Sequence, residues 1–185
     1  MHSSADGVAG ALAAAADLLA PALLDARVTL IDGRSGAGKT SLAALLSARL
    51  PQVQVLALDA LYPGWDGLEQ GVEAVLHGVL EALARGEEGH WRRWDWAKER
   101  PAEAHAVDPA RPLIVEGSGI LTPQTAALAD VRVWLRSPAA SRKARALARD
   151  GEAYRPHWDR WAGQEEQHLR TDEPERWATH VLDVP

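Results

Sequence analysis

Eight consecutive residues, Gly33-Arg34-Ser35-Gly36-Ala37-Gly38-Lys39-Thr40, fill every fixed position of the pattern G-x-x-x-x-G-K-[ST]. They lie between a short apolar run, Arg27 to Asp32, and a helix-forming stretch from Thr40 to Leu50 that Pro51 ends. Strand, glycine-rich turn and helix in that order leave few folds open. Glycines let the backbone curl until successive N–H groups face one anion, and the helix N-terminus adds partial positive charge at the same place. The expected contacts to a nucleoside triphosphate, ATP, are therefore Gly33, Arg34, Ser35, Gly36, Ala37, Gly38, Lys39, Thr40 and Ser41. Lys39 would bridge the outer phosphates and the Thr40 hydroxyl would ligate Mg²⁺.

The rest of the chain repeats the strand and helix alternation. Val53 to Leu58, Leu113 to Glu116, Val131 to Leu135 and Val181 to Val184 read as further strands. Leu68 to Arg85 places Val72, Val75, Leu76, Val79, Leu80 and Leu83 on one helical face, and Gly86 suits its C-terminal cap. An amphipathic helix opens the chain over residues 1–25, ended or kinked by Pro21, and residues 138–177 read as helical and highly charged. Short apolar strands separated by helices predict an α/β fold, a parallel sheet covered on both faces, in a single domain spanning 1–185.

Composition removes several function classes. Lys and Arg number 20 against 26 Asp and Glu, a formal net charge of -6, which argues against a protein that coats duplex nucleic acid. His90 to Trp96 interleaves cations with aromatic rings, but Asp95 and Glu99 are close by and a pocket wall for one small ligand fits better. The apolar stretch Gly7 to Ala16 is too short to span a bilayer and has no basic flank, so neither membrane nor export is expected. With no cysteine, disulfides and thiolate metal sites are absent and a cytoplasmic location is expected. The seven histidines show no zinc-like spacing.

Ligands gather at the carboxyl ends of parallel strands, and three acids fall there: Asp32, Asp59 and Glu116. Asp32 immediately precedes the phosphate loop, where its charge would repel phosphate, so it reads as a bracing residue. Asp59 and Glu116 could each take a proton from an attacking hydroxyl or hold a magnesium-bound water, although either one taken alone reads rather as a strand-ending turn acid. Arg142, Arg145 and Arg149 share one helical face, with a solvated surface as the alternative for Arg142. Trp158 and Trp161 read as packing.

These pieces together resemble the uridine kinase branch of the P-loop kinases. Asp59-Ala60-Leu61-Tyr62 is similar to that family's D-x-F-Y segment, Trp65-Asp66 to its aromatic–Asp pair, Trp94-Asp95-Trp96 to its Y-D-F, Val115-Glu116-Gly117 to its F-E-G and Arg149-Asp150 to the R-D that opens its lid. The resemblance covers about residues 27 to 182, in the family's order. It implies a three-layer P-loop NTPase fold with a five-stranded parallel sheet and a helical lid, and transfer of the γ-phosphoryl group of Mg-ATP to a hydroxyl of a small nucleoside-like acceptor. On that resemblance Asp59 is the general base, with Lys39 and Arg149 also catalytic. Tyr62, Trp65, Asp66 and Trp94 hold the acceptor, Glu116 assists Mg²⁺ beside Thr40, and Arg145 joins Arg149 as a phosphate clamp. The sequence departs from the family in a shortened stretch between Tyr62 and Asp66, in Glu99 near the place of a pyrimidine-contacting His, and in Thr179-His180 before the last strand. A nucleotide-binding regulatory module without transfer, and a phosphotransferase acting on an antibiotic, are the alternatives.

Overall fold

The computed structural model describes residues 2–185, with side-chain surroundings from residue 6 onward. Met1, part of the expected opening helix, lies outside the described residues. Five strands form one parallel sheet: β1 (Val28–Gly33), β2 (Gln54–Ala57), β5 (Leu113–Glu116), β6 (Val131–Arg136) and β7 (His180–Asp183), in the order β2-β5-β1-β6-β7. β1 is buried at every position, as a central strand covered on both faces must be. Side chains alternate between two cores. Leu30, Leu113 and Val115 enter one with Val72 and Val75 of α3 (Leu68–Val75). Ile31, Ile114 and Val133 enter the other with Leu12, Ala16 and Leu19 of α1 (His2–Leu23) and Leu42 and Leu46 of α2 (Lys39–Arg49).

The register decides where the chemistry sits. Ile31 of β1 and Ala57 of β2 both lie level with Glu116 of β5, so the strands stop together and Asp32, Asp59 and Glu116 emerge at one edge. Crossover after β1 passes through the glycine-rich loop into α2, whose first residue is Lys39. Gly38 caps that helix at φ 106°, a left-handed conformation that glycine adopts without steric cost.

Three features depart from the sequence reading. The opening helix forms where expected, but its apolar stretch is not limited to Gly7–Ala16: Asp6–Leu23 is long and apolar enough, by length and composition, to cross a bilayer, with Leu12, Ala15, Ala16, Leu19 and Leu23 buried against the protein. The helix expected over 68–85 is α3, a π-helical segment Leu76–Leu80 and a short α4 (Glu81–Ala84). Between Gly86 and Leu113, where periodicity marks no strand, β3 (Gly89–Asp95) and β4 (Arg100–Val107) form an antiparallel hairpin of polar and aromatic residues with a bulge between Arg92 and Trp94. Its alternation is mostly polar on both faces, which hides it from a hydrophobicity pattern. A short α5 (Pro123–Ala126) precedes β6. The C-terminal helices are α6 (Ala139–Tyr154), kinked at Gly151, α7 (Trp158–Asp172) and α8 (Pro174–Trp177).

Candidate active site

A cavity of about 670 Å³ opens at the carboxyl edge of the sheet. It is lined by Ser35, Gly36, Gly38, Lys39, Thr40 and Ser41 of the loop, by the aromatic residues Tyr62, Trp65, Trp96, Tyr154 and Trp161, and by Asp59, Glu116, Ser118, Arg149 and Asp150. Twelve of the residues singled out from sequence thus meet in one space: six from the loop, then Asp59, Tyr62, Trp65, Glu116, Arg145 and Arg149.

The loop is held from behind. Asp32 is fully buried and accepts the N–H groups of Gly33, Gly119 and Leu121 at 2.6, 3.0 and 2.8 Å, the bracing role expected of it. Its Oδ2 also lies 3.0 Å from Nε2 of His168, whose Nδ1 is 2.7 Å from Asp172. Burial pulls the imidazole pKa down, but the facing carboxylates of Asp32 and Asp172 outweigh it and raise the value to about 9. Gly36 packs so closely on α6 that a Cβ there would stand 2.2 Å from the Arg142 carbonyl oxygen, at φ +80°. Only glycine fits.

Two arginines from α6 hold loop carbonyls. Arg142 is 5% exposed and donates to the Ser35 carbonyl at 3.1 Å, which corrects the solvated alternative: desolvation is offset by that bond and one to the Ser137 carbonyl. Arg145 donates to the Gly36 carbonyl at 2.8 Å, to the Pro185 carbonyl and to Ser137 Oγ, so its guanidinium is engaged by the protein rather than free to clamp phosphate. Arg149 lines the cavity and forms a paired contact with Asp150 at 2.8 and 2.7 Å.

At the loop end, Lys39 is 8% exposed and its ammonium donates to the carbonyls of Gly33 (2.7 Å) and Arg34 (3.3 Å) and to Ser118 Oγ (3.1 Å). The Thr40 hydroxyl donates to Glu116 Oε1 at 2.9 Å. Burial pushes the Glu116 carboxyl above the usual range, against the pull of Lys39, with Asp59 adding to the rise and the Thr40 hydroxyl opposing it. No group of three or more His, Asp or Glu that could hold a metal exists among the described residues. One hydroxyl and one carboxylate oxygen suit an ion that takes most of its ligands from phosphate and water, as Mg²⁺ does.

Asp59 sits in a 3₁₀ turn, Leu58–Ala60, immediately after β2, with its side chain exposed on the cavity. Its carbonyl accepts the Trp96 indole N–H at 2.9 Å, which ties the hairpin to this turn. Tyr62 is 1% exposed, donates to the Ser118 carbonyl at 2.7 Å and meets Trp161 edge-on at 4.8 Å; burial first, then the surrounding carboxylates, raises its pKa well above the ordinary value. Trp65 stacks with Tyr154, ring centroids 5.3 Å apart, and with His157 at 4.4 Å.

Five expected contacts lie elsewhere. Asp66 turns away and forms a bidentate pair with Arg160 at the rim of a second cavity between α3 and α7. Trp94 stands at the hairpin bulge, its indole N–H buried without a partner, and Trp96, two residues on, lines the cavity instead. Arg34 pairs with Glu165 and Glu166, both at 3.1 Å. Ala37 is fully buried in the core beneath the loop, and Gly33 is tied to Asp32. Trp96, Ser118, Asp150, Tyr154 and Trp161 were not assigned to the site from sequence; Ser118, two residues after Glu116 at the same strand end, carried the clearest signal.

Neither the protein-family models nor the curated proteins contain a match to this chain. Among solved structures, it is similar to a possible uridine kinase from Bacillus stearothermophilus, with 21% identity over 91% of this chain and 97% of that one, at a TM-score of 0.66. A shikimate kinase from Bacteroides thetaiotaomicron aligns with 13% identity over 86% and 88% of the two chains, at a TM-score of 0.52. These likenesses, with the strand order, show the P-loop NTPase fold.

Proposed function

We propose that this chain is a cytoplasmic phosphotransferase that moves the γ-phosphoryl group of Mg-ATP to a hydroxyl of a small, nucleoside-like acceptor. One observation carries the reading: a single cavity is lined by the phosphate loop, by Asp59 and by a group of aromatic side chains. The name of the possible uridine kinase, brought to this chain, suggests the acceptor class.

Loop amides and the Lys39 ammonium bind the polyphosphate, which requires Lys39 to leave the carbonyls of Gly33 and Arg34. Thr40 and Glu116 would hold magnesium, which when bound neutralises phosphate charge. The aromatic wall of Trp65 and Trp96 orients the acceptor so that its hydroxyl faces Asp59. Asp59 takes the hydroxyl proton as the acceptor oxygen bonds to the γ-phosphorus; the bond from that phosphorus to the bridging oxygen breaks, and ADP leaves. Catalysis then rests on position and charge, with Arg149 offsetting negative charge on the transferred group.

Incubation with γ-labelled ATP and a panel of nucleosides and sugars tests this. Label should move to at least one acceptor, and Asp59→Asn should slow the transfer. Wild-type protein that binds nucleotide yet labels nothing across the panel would favour the regulatory reading, which the engaged state of Lys39 also suits.

A further inference from the structure

A buried carboxylate from α7 reaches into the phosphate loop. Glu165 is 2% exposed; its Oε1 accepts the Ser35 N–H at 2.5 Å and the Ser118 hydroxyl at 3.1 Å, and Oε2 lies 3.1 Å from Arg34 Nε. Ser118 Oγ in turn accepts from the Lys39 ammonium at 3.1 Å. Burying a carboxylate is costly unless it is paired and fully hydrogen-bonded, and these three donors meet that condition.

The same helix also contributes to the aromatic lining of the cavity. Trp161, one turn earlier, is part of the aromatic wall, and Gln164 donates to the Trp65 carbonyl at 2.7 Å while accepting the Leu68 N–H at 3.2 Å. Residues three and four apart share a helix face, so one rigid element spans wall and loop.

We infer that Glu165 is a positioning residue: it fixes Ser35 and, through Ser118, the ammonium of Lys39, so that α7 ties the phosphate loop to the aromatic lining of the same cavity. The inference rests on the cavity being a nucleotide site. A carboxylate beside an anion site repels phosphate as well as bracing the loop; here Arg34, shared with the more exposed Glu166, offsets part of that charge, while the hydrogen bonds to Ser35 and Ser118 brace the loop, so its removal weakens binding.

Calorimetric titration of wild type, Glu165→Gln and Glu165→Ala with Mg-ATP and with inorganic triphosphate, below the melting temperature of each, tests it. Glu165→Ala loses charged hydrogen bonds and should bind both probes about 10- to 100-fold weaker. Glu165→Gln keeps an oxygen for Ser35 but no charge for Arg34, and should fall between. The loss should be the same factor for both probes, because the defect lies in the loop; a general loss of structure would appear in the melting temperature instead. Wild-type affinity in folded Glu165→Gln, or tighter binding in either variant, overturns the inference, and Glu165→Gln decides alone should Glu165→Ala not fold. Wild type that binds neither probe overturns the nucleotide reading itself, and this inference with it.

Discussion

Raising the pH should loosen this fold through His168. Its imidazole is 5% exposed in the side chain and bridges Asp32, behind the phosphate loop, to Asp172. Burial opposes the charged form, yet the two carboxylates raise the pKa from the ordinary 6.5 to about 9. A histidine whose folded pKa is raised contributes its full stability below about pH 6.5 and loses it as pH rises through about 9. At about 1.4 kcal/mol per unit, roughly 2–3 kcal/mol should disappear between about pH 7 and pH 10, a fall of roughly 5–10 °C in melting temperature for a chain of this size. Other groups titrate in that range, so the assay is urea unfolding of wild type and His168→Gln at both pH values. The stability difference between the two proteins should shrink by that amount on going to the higher pH. A difference that stays constant would refute a charged histidine in this network.

Asp59→Asn should slow phosphoryl transfer roughly 100-fold or more while leaving nucleotide affinity near wild type, measured by single-turnover labelling beside equilibrium binding. Gly36→Ala, placing a Cβ 2.2 Å from the Arg142 carbonyl oxygen at φ +80°, should lower the melting temperature and abolish nucleotide binding together. Asp66→Asn breaks only the exposed pair with Arg160, so the kinetic constants for the acceptor should not change; a raised KM would place Asp66 in the acceptor site after all.

The sheet was legible because buried parallel strands write themselves as short apolar runs, and Leu113-Ile114-Val115-Glu116 falls where the pattern places it. The hairpin was not, since Trp91, Arg92 and Arg93 of β3 show no clean apolar alternation. At the site, the loop and Asp59 follow from local motifs. Glu165, Trp161 and Tyr154 come from helices more than a hundred residues downstream of the loop, and only the folded chain brings them to it. Asp66 shows the reverse: its place beside Trp65 suggests a ligand contact, but in the folded chain it pairs with Arg160 outside the cavity lining. For Arg142 the sequence leaves a solvated surface open beside a place on the arginine face, and the fold makes it a buried brace, a distinction set by what α6 packs against.

The central claim is that this loop holds a polyphosphate with Lys39 beside it. Calorimetric titration of the folded wild-type protein and of Lys39→Met with Mg-ATP tests that most directly. Saturable binding by the wild type, weakened at least about tenfold in the variant, is the predicted result. No heat of binding to the wild type, or equal affinity in both proteins, would contradict it.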